Sequence, residues 1–176
     1  MDLKAYVMKG IELVKLNGEM AETVAADEEA FVPAVIFYAV GGLAAGIGAA
    51  FTGSFSMIIY GPIAGVVFSF IGVGILYLIA KLFGGTGDFV SYYRALGVGS
   101  LPQWAGIIPV LGGIVGLWTL PVAVIVTERV HKLPRGKAIA VVLIPVAVLL
   151  VLGIIAFVAG MAFMGMMGGA AMMKGM

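Results

Sequence analysis

From Ala30 to Ala80 the chain carries no charged residue, and these 51 consecutive residues are too long for one membrane span but suit two spans with a turn. A second uncharged stretch covers residues 95–127, and a third begins at Ala138. Charged residues make up 11% of the 176-residue chain, against about a quarter in an ordinary soluble domain, and 62% of residues are hydrophobic. A mean hydropathy of +1.18 agrees. The solvent for this chain is therefore a bilayer, and the expected fold class is all-α: a polytopic bundle of transmembrane helices.

The first stretch reads as spans near 32–51 and 57–81, joined by the turn Phe51-Thr52-Gly53-Ser54-Phe55-Ser56. Asp27, Glu28 and Glu29 precede it, where acidic residues cap and electrostatically favour a helix start. Gly84-Gly85-Thr86-Gly87-Asp88 marks a loop. The 33 residues 95–127 exceed one span and fall short of two. They predict a hairpin of two short helices turning at Ile108-Pro109-Val110-Leu111-Gly112-Gly113, each arm roughly 14 residues and about 21 Å long. Ala138 to about Phe163 forms the last span. The expected total is five hydrophobic segments, the third and fourth being the short hairpin.

Positive charge tests this division, because Lys and Arg concentrate in cytoplasmic loops. With five segments and a cytoplasmic N-terminus, nine cations share one side and Lys174 alone lies on the other. A single crossing by residues 95–127 would reduce the split to six against four. Charge therefore favours the hairpin, whether it crosses fully or re-enters, and places the C-terminus outside the cell membrane.

Residues 1–29 form a separate region that holds seven of the nine acidic residues and three lysines. Their interspersed charges do not resemble a signal peptide. Leu3, Val7, Ile11 and Val14 recur at helical spacing, with Tyr6, Leu13 and Val24 flanking the stripe. This predicts an amphipathic helix that lies flat on the membrane surface or packs on the protein's own spans. Residues 30–167 are then the membrane domain and 168–176 a flexible Met/Gly-rich tail.

Chemistry is sparse. No cysteine is present, so thiolate sites and disulfides are excluded, and one histidine rules out a multi-histidine metal centre. No catalytic residue or cofactor is expected, since Ser100 lacks a plausible histidine base. The net charge of +1 offers nothing to nucleic acid. Seven of eleven methionines fall within Met161–Met176, which suits either Cu(I) or an apolar, glycine-rich end. Gly42/Gly46, Gly61/Gly65 and Gly112/Gly116 sit four apart, a spacing that lets helices approach closely within the chain or between two copies.

Three stretches together resemble the Yip domain family, after Ypt-interacting proteins. They are Leu82-Phe83-Gly84-Gly85-Thr86-Gly87-Asp88-Phe89; Arg94 with Gly97, Ser100, Pro102, Ile107-Ile108-Pro109 and Leu117-Trp118; and Val130-His131-Lys132-Leu133 with Gly136-Lys137-Ala138. The pattern is most similar to prokaryotic members, which commonly read Arg-Glu before the histidine, where this chain has Glu128-Arg129. The resemblance implies a small integral membrane protein with about five hydrophobic segments. Eukaryotic relatives associate with Rab-type GTPases through cytosolic regions that this chain is not expected to carry.

The expected role is a non-catalytic, membrane-organising scaffold with a basic cytoplasmic face; the competing class is a small transporter or channel subunit. Lys81, Arg94, Arg129, His131, Lys132, Arg135 and Lys137 are the candidate lipid- or partner-binding residues, with anionic headgroups, a protein partner or a second copy as ligands. His131 is expected in an interfacial loop, where it titrates near neutral pH as a switch or serves as an ordinary loop residue. Arg94 and Glu128 stand at the two feet of the hairpin and are expected to form an ion pair there.

Overall fold

The computed structural model describes the backbone of residues 2–174 and the side chains of residues 2–164. It is helical throughout: α1 Leu3–Val14, α2 Gly18–Ala26, α3 Phe31–Ala50, α4 Met57–Leu82, α5 Phe89–Val98, α6 Pro109–Gly116, α7 Thr119–His131 and α8 Arg135–Lys174. Short 3-10 segments at Glu28–Ala30 and Leu101–Ile107 precede α3 and α6. Among the described residues, four helical stretches are long and apolar enough to cross a membrane: Glu28–Ala50, Met57–Leu82, Pro109–His131 and Arg135–Met164. The remaining apolar segment, the first arm of the hairpin, is divided between α5 and the second 3-10 segment.

The first two spans match the sequence-based bounds to within a residue or so. They pack through their glycines. A methyl group on Gly42 or Gly46 would run into the carbonyls of Gly61 or Met57, and one on Gly61 into that of Gly42. In hydrocarbon, lipid tails compete equally for apolar side chains, so close backbone approach carries the association. These two glycine pairs thus serve packing within the chain. Gly112 packs on the 3-10 segment, whereas Gly116 faces open space.

The hairpin departs from expectation in length and regularity. Helix α5 begins at Phe89 and α7 runs to His131, so Arg94 and Glu128 lie inside helices and not at the feet of short arms. The chain reverses at Ile108, in extended conformation between the 3-10 segment and the first residue of α6. Proline explains the reversal, because Pro109 restricts its predecessor to extended backbone and is itself tolerated at a helix start.

The N-terminal region is two helices joined by a sharp turn at Lys15-Leu16-Asn17. Leu16 adopts φ 65°, and the Asn17 side chain caps α2 by accepting from Glu19 and Met20 N–H. Tyr6, Gly10 and Leu13 of α1 and Ala21, Val24 and Ala25 of α2 are buried. This segment therefore packs on the protein itself, against α5 and α7. Its anchor is Asp27, whose Oδ2 accepts from Tyr6 Oη at 2.9 Å and pairs with Lys9 Nζ at 2.6 Å. The Lys9 hydrogen bond, with that of Tyr6, holds the Asp27 carboxyl below its ordinary range. Burial and the same contact push the Tyr6 hydroxyl up to about 12.

Tyr93 centres the core. Phe70 stacks on it at 4.4 Å, with Phe31 and Tyr38 each at 5.5 Å. Buried hydroxyls are paired, Tyr92 Oη with Thr127 Oγ1 at 2.6 Å and Tyr93 Oη with Ser69 Oγ at 2.8 Å. The chain divides into two compact units, Met1–Val142 and Leu143–Met176. In the second unit residues 143–164 continue α8 as apolar helix with most side chains exposed, and the methionine-rich tail side chains lie outside the described residues.

Replacing Gly42 or Gly61 with valine should lower stability in detergent by about 1–3 kcal/mol or more through overpacking. Gly72→Ala, at a helical site with nothing within 4 Å, should leave it equal or raise it by about 0.5–1 kcal/mol. Thermal unfolding of the purified variants checks both.

Candidate functional site

The two polar loops meet. Helix α4 ends with Gly84 at φ 91°, and Gly85 N–H returns to the Ala80 carbonyl at 2.8 Å. A left-handed residue at this place favours glycine because a Cβ is penalised there. Thr86 N–H then donates to the His131 carbonyl at 3.1 Å, 45 residues along the chain. A methyl on Gly85 would lie 2.9 Å from His131 Nδ1, and one on Gly87 2.6 Å from the Val130 carbonyl oxygen. The two glycines are what let the strands of main chain touch. Asp88 caps α5, accepting from Ser91 N–H at 2.9 Å, and that bond lowers its carboxyl pKa.

On the opposite side of the junction, Lys132 closes α7 in left-handed conformation at φ 52°, and Leu133 N–H bonds the Glu128 carbonyl. This reversal turns Leu133 inward against Ala80 and Val141. Lys132 is left exposed.

The candidate cations have distinct surroundings. Lys81 donates to the Thr86 carbonyl at 3.4 Å and lies over the Tyr77 ring; Lys137 donates to the Phe83 carbonyl at 3.0 Å. Both place positive charge at the carbonyl end of α4, where the helix dipole favours it. Arg129 pairs with Glu22 at 3.4 Å, bringing α2 into the site across 107 positions. Sequence reasoning missed Glu22, since nothing local marks an exposed acid of α2 as the partner of a residue on α7.

Two expectations are corrected. Glu128 lies 3.3 Å from Arg135 Nε, out of line for a hydrogen bond, while Arg94 donates to the Ala25 carbonyl at 3.3 Å. No Arg94–Glu128 ion pair exists among the described residues, because α2 ends beside α5 and its last carbonyls attract the guanidinium. His131 is the final residue of α7, fully buried under Gly85 with its ring edge-on to Tyr92 at 4.5 Å. Neither ring nitrogen has a hydrogen-bond partner. It offers no surface to a headgroup. Buried Arg94 Nε and Glu128 Oε2 also lack hydrogen-bond partners.

A second feature is a cleft of about 770 Å³ among α3, α4, the second 3-10 segment and α6, walled by glycines including Gly41, Gly61, Gly106 and Gly112. Thr52, Ser54 and Gln103 are its polar side chains, and no charged residue lines it.

The Yip1 domain family model matches residues 18–157, from the start of α2 into α8, including both loops and the whole hairpin. The chain belongs to the Yip1 domain family. No curated protein and no solved structure is matched by it. Membership accords with the four apolar helices, which are those of a membrane-integral protein. Its matched region carries the glycine-closed loop junction but leaves α1 outside.

An imidazole buried without partners costs stability that an apolar residue of similar volume does not. His131→Leu should therefore leave the Yip1 domain as stable or raise its stability by up to about 2 kcal/mol. Unfolding in detergent measures this, and a loss of more than about 1 kcal/mol would show that the imidazole makes contacts the leucine cannot replace.

Proposed function

We propose that the chain is a non-catalytic membrane-organising scaffold of a prokaryotic cell membrane, with its N-terminus and loop junction cytoplasmic. Its ligand is the anionic lipid headgroup. The observation that carries this reading is the gathering of Lys81, Arg129, Lys132, Arg135 and Lys137 around one junction. Glu22, Glu128 and Asp88 oppose these five cations, leaving an excess of two positive charges. Lys81, Lys132 and Lys137 have no carboxylate partner among the described residues. Each cation near an anionic surface is worth about 1 kcal/mol, so three together favour anionic over neutral lipid by roughly 100-fold.

In nanodiscs of mixed phosphatidylglycerol and phosphatidylcholine, the wild type should enrich phosphatidylglycerol, read by quenching with brominated lipid. Replacing Lys81, Lys132 and Lys137 together by glutamine should remove most of that enrichment. Unchanged enrichment would refute headgroup binding, and protein-dependent solute flux from liposomes would instead favour transport through the cleft.

The cytoplasmic placement has a separate check. A single cysteine at the exposed positions 86 or 136 should react with an impermeant maleimide only after intact cells are permeabilised, and both positions should behave alike. Labelling in intact cells would reverse the orientation.

A further inference from the structure

The glycine-walled cleft of about 770 Å³ ends part-way through the bundle. Its α4 wall runs from Met57 to Phe68, roughly 16 Å at 1.5 Å rise per residue, and its α3 wall starts at Gly41, about halfway along that helix. Gln103 closes the inner end, where a methyl on Gly41 would lie 3.3 Å from its Oε1. One turn further along α3 and just further along α4, Tyr38 and Phe70 pack on Tyr93 at 5.5 and 4.4 Å and fill the bundle. At the outer end stand Thr52 and Ser54, in the turn before α4, whereas the loop junction follows the opposite end of that helix. A hydrocarbon core is about 30 Å thick, so the cleft has the depth of a single leaflet.

Glycines keep this space open. Those at 42, 46 and 61 meet neighbouring backbone, but Gly113 and Gly116 line the cleft from α6 with nothing within 4 Å of an added Cβ. Glycine inside a helix is disfavoured relative to alanine, and packing within the chain does not account for these two. A side chain at either place would take up cleft space without striking the protein.

The surroundings select the occupant. Helices α3, α4 and α6 all belong to candidate spans, so the medium at the open side of the cleft is lipid. No charged residue lines it, and an apolar cavity does not hold water stably. A partner's helix needs about 20 residues to cross the full core, roughly twice the length on offer. A lipid chain, which reaches from its headgroup to the middle of the bilayer, has the matching length.

We propose that the cleft binds one acyl chain of a phospholipid from the leaflet opposite the loop junction, with the ester at Thr52 and Ser54 and the chain end at Gln103 and Phe68. Thr52 Oγ1 already donates to the Ala49 carbonyl at 2.8 Å, so Ser54 is the donor to the ester carbonyl. The site differs from the basic junction in its residues, its end of the bundle and its chemistry, since it holds a chain and not a headgroup charge.

The probe is dipalmitoylphosphatidylcholine, whose headgroup carries no net charge for the junction lysines to select. The full chain, delipidated in detergent, is incubated with it and weighed by native mass spectrometry. The wild type should keep one phospholipid per chain, and Gly113→Leu/Gly116→Leu should lower that occupancy several-fold. Gly72→Leu, at a site that also faces open space but lies outside the cleft, should retain it. So should the variant with glutamine at positions 81, 132 and 137, which separates this site from the junction. The same adduct in the double variant, or none in the wild type, would overturn the proposal. Palmitate bound in preference to the phospholipid would remove the ester from the mouth, and a lipid-free dimer dispersed by Gly113→Leu/Gly116→Leu would give the cleft to a second copy. Each leucine variant is also measured singly, so misfolding of the double variant does not decide the outcome.

Discussion

Thr86 N–H bonds the His131 carbonyl and Gly87 lies against the Val130 carbonyl while Gly85 leaves room for the His131 ring, and the rest of the matched domain is arranged around that closure. The segment between must leave and return to the same end, which is why residues 89–131 fold as a reversing pair of arms. The closure also determines which charges meet. Lys81 and Lys137 are brought to the carbonyl end of α4, and Arg135 comes within reach of Glu128. Substituting either glycine would separate the loops before it altered any charge.

In a bilayer the association of helices cannot draw on the hydrophobic effect as a water-soluble core does. The structure uses two alternatives. Glycine backbones meet between α3 and α4, where dispersion over a close, flat contact replaces side-chain interdigitation. Buried polar groups pair across helices: Tyr92 with Thr127, Tyr93 with Ser69, and the Trp104 indole with the Phe37 carbonyl. Each such bond is worth about 0.6 kcal/mol on average in membrane helices, so they specify the packing more than they stabilise it. His131 stands apart as a fully buried polar side chain without a hydrogen-bond partner, set against the Tyr77 and Tyr92 rings and Gly85.

The N-terminal helices change how the charges pair. Their acids and carbonyls reach the membrane domain, Glu22 at Arg129 and the Ala25 carbonyl at Arg94, while Asp27 ties Lys9 within the N-terminal region. The Arg94 guanidinium is consequently drawn to the end of α2, and Glu128 is left to Arg135. The polar surface around the junction is built from three separate parts of the sequence.

Hydropathy alone determined the solvent, the helical class and the bounds of α3 and α4, because long uncharged runs admit no other satisfied backbone in lipid. The motif at Leu82–Phe89 and that at Val130–Ala138 likewise pointed to the family. The break between α1 and α2, the partners of Arg94 and Glu128, and the burial of His131 were decided by tertiary structure. Each depends on which helix lies beside which, and pairings across 69 or 107 positions leave no trace in local periodicity. Composition announced a membrane protein; only the fold could choose, for each charge near its surface, the atom that answers it.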